Sequence, residues 1–263
     1  MSPERPRLVL RDVSIAFGGL RAVHEVGFEV RPGEIVGLIG PNGAGKTTLF
    51  NIITRIYRPD TGEIHFGDRD LLRLVRHEVI AHGIARTFQN LLLFNQLTAL
   101  DNVLIGLHSR MRAGLVACGL QLPRMGREER AMRDRAEQAL ALVGLAGVAG
   151  QRARNLPFGH QRLLELARAL ASEPTLLLLD EPGAGLNAEE LDGLTNVIRH
   201  IRDDMGIGIV LIGHTMRLVL GISDRVVVLD HGVTIAEGRP GEIRANPDVV
   251  RAYLGKAETH APA

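Results

Sequence analysis

Gly40-Pro41-Asn42-Gly43-Ala44-Gly45-Lys46-Thr47 decides how this chain folds. A glycine, four residues and then Gly-Lys-Thr is the P-loop pattern without a gap. Its glycines let consecutive backbone N–H groups turn toward phosphate oxygens. The lysine ammonium reaches the β and γ phosphates, and the threonine hydroxyl goes to Mg²⁺. Glu34–Ile39 before the loop reads as a short buried strand, and Lys46–Ile56 after it carries helical spacing. A helix started there points its positive end at the same anion. Gly40, Pro41, Asn42, Gly43, Ala44, Gly45, Lys46, Thr47 and Thr48 are therefore the expected phosphate-binding set. The blander reading is a glycine-rich turn before a helix, and one count speaks against it. Of the 31 basic residues only Lys46 and Lys256 are lysine. A chain that otherwise writes arginine has kept, at 46, the compact point charge that suits a tight phosphate site.

Outward from the loop, strands and helices alternate. Leu8–Phe17 and Val26–Val30 largely alternate apolar and polar residues around Gly18-Gly19, and Glu63–Phe66 follows a turn. Further strand runs lie at Thr175–Leu179 and Ile207–Ile212, with helical Ala188–Arg202 between them. Arg225–Asp230, His231-Gly232 and Val233–Ala236 form a hairpin signal. Between about residues 95 and 155 β-branched runs vanish. Met132, Ala136, Ala139, Leu140 and Val143 then fall on one helical face, so this span is an expected helical insertion. The pattern predicts an α/β sheet with parallel strands at its core and ligands at their carboxyl ends. Residues 1–255 are expected to form one domain, and 256–263, small and polar, a frayed tail.

Leu176-Leu177-Leu178-Leu179-Asp180-Glu181 is an apolar run ending in two carboxylates. Beside a P-loop, Asp180 is the expected Mg²⁺ holder, and Glu181 is placed to polarise a water against the γ-phosphate. Alone, the pair also reads as an acidic helix cap before Pro182. An Asn-Lys-x-Asp segment for reading guanine is excluded, because both lysines follow glycine.

Composition narrows the partners. With 31 basic and 30 acidic residues the net charge is +1, which argues against a polybasic grip on nucleic acid. Apolar residues make up 45% and charged residues 23%, as in ordinary globular chains. The single cysteine, Cys118, precludes a disulfide framework and suits a reducing compartment. The start of the chain, with Glu4, Arg5 and Arg7, is unlike a secretory signal. The longest strictly apolar run, Ala139–Val143, falls far short of the ~20 residues that cross a bilayer. The expected location is cytoplasmic, and if the chain serves a membrane it does so as a peripheral partner.

Four more segments have a telling order. Thr87-Phe88-Gln89-Asn90 precedes Leu156-Pro157-Phe158-Gly159-His160-Gln161-Arg162 and its helix Leu163–Leu170. Ala184-Gly185-Leu186-Asn187 follows the acidic pair, and His214 follows the strand Ile207–Ile212. In this order the chain resembles the ABC ATPases over essentially its full length. The resemblance implies an α/β P-loop NTPase with a mainly parallel core sheet, an antiparallel β subdomain and a helical subdomain insertion. It implies ATP and Mg²⁺ as cofactors, with Glu181 and His214 catalytic, Thr47, Gln89 and Asp180 on the metal, and Phe17 stacked on adenine. It also makes 156–162 the signature segment, with Gly159 meeting nucleotide. Standing alone, Phe17 also reads as a strand-end core aromatic and Gln89 as a loop or cap amide. His214 is one of ten histidines.

Arg86-Thr87-Phe88-Gln89-Asn90, Leu97-Thr98-Ala99-Leu100 and Ala252-Tyr253-Leu254-Gly255 are similar to the ATP-binding subunits of branched-chain amino-acid importers. That resemblance implies two membrane permease subunits and a dimer partner, either a second related ATPase chain or a second copy of this one. An extracytoplasmic solute-binding protein would act indirectly, and no nucleic acid is expected. Gly213 and Thr215 depart from the pattern, since acidic residues are more usual beside the histidine. The alternatives are the ATPase of lipopolysaccharide export, which the long insert disfavours, and a DNA-repair ABC ATPase, which the charge balance disfavours. In the signature segment Pro157 replaces the usual serine, Phe158 a glycine and His160 the glutamine. ATP closure there is expected to be weakened, not abolished. The missing serine is one hydrogen bond to a charged group, worth roughly 1.5–3 kcal/mol.

Overall fold

β1 (Leu8–Phe17) and β2 (Leu20–Val30) close a hairpin through Gly18 and Gly19, whose φ angles of 52° and 88° glycine adopts without strain. The computed structural model describes residues 7–107, 123–213 and 215–254. The expected tail at 256–263, and His214, lie outside the described residues. β1 also pairs with β4 (Thr61–Phe66), and β4 with β5 (Arg69–Asp70). These four strands form an antiparallel sheet in the order β2-β1-β4-β5.

The second sheet has six strands. β3 (Ile35–Ile39), β6 (Ile84–Arg86), β7 (Leu176–Asp180), β8 (Gly208–Ile212) and β9 (Arg225–Asp230) run parallel, and β10 (Val233–Gly238) closes one edge antiparallel to β9. Their order is β10-β9-β3-β8-β7-β6. Every residue of β3, β7 and β8 is buried, as expected for strands covered on both faces. Alternate residues serve two cores. Val36, Leu38, Leu176, Leu178, Val210 and Ile212 face the antiparallel sheet and helix α1 (Lys46–Ile53). Ile35, Ile39, Leu177, Leu179, Ile209 and Leu211 face the helices that follow residue 98.

After the short α2 (Arg76–Ala81), the span from 95 to 155 carries α3 (Ala99–Leu107), α4 (Pro123–Leu142) and two short 3-10 turns, with no strand among its described residues. Val103 and Leu107 of α3 join Ala136 and Leu140 of α4 in one cluster with Leu164 and Ala167 of α5 (Phe158–Ala171). α6 (Ala188–Met205) starts at a reciprocal cap between Asn187 and Glu190 and stops at Gly206, with φ of 64°. α7 (Met216–Ile222), α8 (Pro240–Ala245) and α9 (Pro247–Leu254) follow among the described residues. Among the described residues no helix is long and apolar enough to cross a membrane.

The structure departs from the sequence expectation at several ends. β2 begins at Leu20 instead of Val26, because register shifts against β1 break the period of two. α1 ends at Ile53, not Ile56, where Arg55 turns to a positive φ of 59°. α5 begins at Phe158 rather than Leu163, and Pro157 stands just outside it as N-cap with ψ of 154°. The proline therefore removes no N–H from the helix proper.

Candidate functional site

The loop at 40–45 is shaped first by its surroundings. At Gly40, with φ of 152°, a Cβ would come 2.1 Å from the Leu229 carbonyl oxygen. At Gly45, with φ of 99°, it would come 2.5 Å from that of Ala22. Gly43 has φ of 81° but open space beside it. The two outer glycines are thus demanded by neighbouring backbone, and the middle one by backbone conformation. α1 starts at Gly45 without a side-chain cap, which leaves its first-turn N–H groups for an anion. Lys46 is only 6% exposed and donates from Nζ to the carbonyls of Gly40 at 2.7 Å and Pro41 at 2.9 Å.

A cleft of about 950 Å³ opens over this loop, lined by residues 42–48 together with Gly19, Ala22, Gln89 and Glu181. β7 delivers the acidic pair. Asp180 is its last, buried residue, and Glu181 leaves the strand with a φ of 51° while its N–H bonds the Ile212 carbonyl at 2.9 Å. After β7 no helix starts until Ala188, so the pair is not a helix cap. Gln89 Nε2 donates to Glu181 Oε2 at 3.2 Å. That amide therefore faces the acidic pair and caps no helix. Thr47, Gln89 and Asp180 offer a hydroxyl, an amide oxygen and a carboxylate. Such hard oxygen donors suit Mg²⁺ carrying phosphate and water as its other ligands.

Other expected residues sit elsewhere. Phe17, 42% exposed at the end of β1, makes a T-shaped contact with Tyr57, the ring centroids 5.1 Å apart. It is not a core aromatic, and its ring is not part of the cleft lining. Gly159 is buried away from the cleft, where a Cβ would lie 2.5 Å from Glu190 Oε1. A Gly159→Asp substitution would thus strike Glu190 within the same chain, whatever it did to a nucleotide. Phe158, 43% exposed, lies beneath the Arg162 guanidinium, and a Cβ on Gly185 would touch its ring. The signature segment and the 184–187 turn therefore pack on each other, apart from the P-loop cleft.

Sequence reasoning missed three residues. Arg86 pairs with Asp180 at 2.8 Å, both nearly fully buried. Its signal was an arginine at the end of an apolar run, Ile84-Ala85. Tyr57 was missed as the neighbour of Phe17, although a chain with only two tyrosines marks each of them. The other, Tyr253 of α9, is held above the usual phenol range by burial, opposed by a hydrogen bond with the Gly40 backbone. The last helix thus reaches the first glycine of the P-loop. Burial also raises Glu165 on α5, against the lowering effects of the Phe88 N–H, Arg168 and Arg162.

Comparison with known proteins shows the family. A family profile described as ABC transporter matches residues 23–184, and one described as branched-chain amino acid ATP-binding cassette transporter matches 233–259. The high-affinity branched-chain amino acid transport ATP-binding protein LivG of Escherichia coli K12 is 44% identical, over 96% of this chain and 99% of that protein. BraF of Pseudomonas aeruginosa, with the same description, is 41% identical over equal shares. The lipopolysaccharide export ATP-binding protein LptB of Escherichia coli K12 is 34% identical over 95% of this chain and 97% of that one. A solved ATP-binding cassette of an ABC transporter in its ADP conformation superposes with a TM-score of 0.84 at 30% identity, covering 95% of this chain and 99% of that one.

Proposed function

The chain belongs to the ABC transporter family of ATP-binding proteins, and from that premise we propose that it is the ATP-hydrolysing subunit of a branched-chain amino-acid importer. The observation that carries ATP hydrolysis is the convergence of Lys46, Gln89 and Glu181 on one cleft over the P-loop. The solute class rests on the LivG and BraF relatives and on the match at 233–259. LptB is less similar, and no feature of the site favours export.

On this reading residues 1–255 form one ATP-binding domain with the 95–155 insertion inside it. The loop amides and Lys46 hold the phosphates, and Phe17 stacks on adenine with Tyr57 bracing its edge. Thr47, Gln89 and Asp180 would hold Mg²⁺, which supplies neutralising charge to the phosphate oxygens. Glu181 accepts the proton of the attacking water, and His214 contacts the γ-phosphate. Because Gly159 stands apart from its own chain's cleft, it serves the ATP of a second ATPase chain across a dimer. Two permease subunits dock beside Gln89, where Leu92, Phe94 and Leu97 are exposed. The subunit lies on the cytoplasmic face of the inner membrane, and a solute-binding protein delivers the amino acid from outside.

Reconstituted with both permeases, the ATPase rate is expected to rise when the solute-binding protein is added with leucine, isoleucine or valine. A rate that ignores all three, in a complex that still hydrolyses ATP, removes the solute assignment. In the same complex Pro157→Ser is expected to leave the rate unchanged or modestly raised. The gained hydroxyl adds one donor, and Pro157 at the N-cap withholds no helical N–H now. A large fall in rate would show that Pro157 is needed for more than ending the preceding turn.

A further inference from the structure

Arg86 ties three parts of the site together. From the end of β6 its Nη2 donates to Asp180 Oδ2 at 2.8 Å, and its Nη1 donates to Asn51 Oδ1 at 2.7 Å. Asn51 belongs to α1, the helix that follows the P-loop. The guanidinium also lies over the rings of Phe50 and Phe88, at 5.3 and 5.0 Å from their centroids. Phe88 is the residue before Gln89, and α5 holds it from the other side. Its N–H donates to Glu165 Oε1 at 3.2 Å, and its carbonyl accepts from Arg162 Nη1 at 3.3 Å. One planar fork thus fixes the carboxylate at the end of β7, the P-loop helix and the loop leading to Gln89.

Stability does not explain the arrangement. A buried ion pair seldom gains more from mutual attraction than it loses in desolvation, and well-packed apolar residues commonly do as well. Here the side chains of Arg86 and Asp180 are 6% and 4% exposed, and Arg86 Nε has no hydrogen-bond partner among the described residues. What the pair does provide is orientation. A carboxylate with one oxygen pinned by a rigid fork cannot swing about its side-chain bond. Lysine, a single point charge, could not hold Asn51 and Asp180 at once in a fixed plane.

We propose that Arg86 is a positioning residue for the metal-holding carboxylate, fixing Asp180 in register with the P-loop helix and the Gln89 loop. The proposal rests on the reading of Asp180 as a metal ligand. It is tested on the full chain with Mn²⁺ as probe, its affinity measured by electron paramagnetic resonance with a non-hydrolysable ATP analogue bound. Fluorescent ATP-analogue binding in EDTA is measured alongside, and thermal unfolding verifies folding. Arg86→Met is expected to weaken Mn²⁺ binding by about tenfold, the lower end of what loss of a ligand's hydrogen-bonded support costs. Arg86→Lys should fall between it and wild type, and it carries the test if the methionine variant does not fold. Metal-free nucleotide affinity should stay within about twofold in both, since no metal ligand is then in use. Asp180→Asn should weaken Mn²⁺ at least as much as Arg86→Met. Unchanged Mn²⁺ affinity in the Arg86 variants, with Asp180→Asn weakened, overturns the positioning role. Equal losses with and without metal overturn it too, because they mean general disruption. Unchanged affinity in Asp180→Asn overturns instead the ligand reading beneath it.

Discussion

Glu181→Gln is expected to lower ATP turnover by about 10²–10⁴-fold while leaving ATP binding intact, the range that loss of a general base produces. The substitution is close to silent structurally. Gln89 Nε2 donates to Glu181 Oε2 at 3.2 Å, and a glutamine at 181 still offers a carbonyl oxygen to that donor. Its N–H bond to the Ile212 carbonyl is a backbone contact and persists. What is lost is the negative charge and, with it, the ability to take a proton from water. The backbone at 181 is held at a positive φ of 51°, which for a residue with a Cβ costs of order 1–3 kcal/mol. Strain kept at the exit of a fully buried strand fits a side chain whose direction matters more than its stability. With hydrolysis stopped, the ATP-bound dimer should accumulate, either with a second copy or with the related chain if one is required. Phosphate release and light scattering in ATP measure the two effects. Turnover equal to wild type would remove Glu181 from the chemistry.

What could be read from the sequence, and what could not, divides by the reach of the contacts. The P-loop was legible because its whole residue pattern lies within eight consecutive positions, even though Gly40 and Gly45 answer the distant carbonyls of Leu229 and Ala22. The acidic pair was legible because an apolar run ending in two carboxylates marks a strand's end. The helices of the 95–155 span announced themselves through Ala136, Leu140 and Val143, which share one buried face. Contacts between distant residues left no pattern. Arg86 and Asp180 are separated by 94 positions, and the strand that brings Arg86 there is three residues long, too short for any period to register. The resemblance assigns Gly159 to a nucleotide, yet within its own chain the nearest constraint on it is Glu190. The hidden start of α5 has the same origin, since Phe158 is held by Arg162 and by the turn at Gly185 rather than by an apolar face.

Lys46→Ala is expected to weaken ATP binding itself by about 10–100-fold. A hydrogen bond to a charged group is worth roughly 1.5–3 kcal/mol, and each 1.4 kcal/mol is tenfold in affinity. The ammonium is engaged with the carbonyls of Gly40 and Pro41, at 2.7 and 2.9 Å. A phosphate therefore gains the difference between itself and those carbonyls, which keeps the expected loss below the strength of a bare ion pair. The same contacts predict a second effect. Alanine removes a donor that ties the loop's first turn together, so thermal unfolding should also shift down modestly. Lys46→Arg should not restore affinity, because a wide planar fork does not fit between two carbonyls that a single ammonium bridges. Titration calorimetry with ATP separates these outcomes from simple misfolding. This residue is the decisive one to change. Gly40 and Gly45 are required by the Leu229 and Ala22 carbonyls whether or not anything binds, so losing them would not distinguish a phosphate site from a tight turn. Lys46 blocks no neighbouring backbone, and its modest part in holding the loop is read separately by thermal unfolding. If Lys46→Ala binds ATP as tightly as wild type, residues 40–47 are a sterically determined turn and the phosphate reading fails.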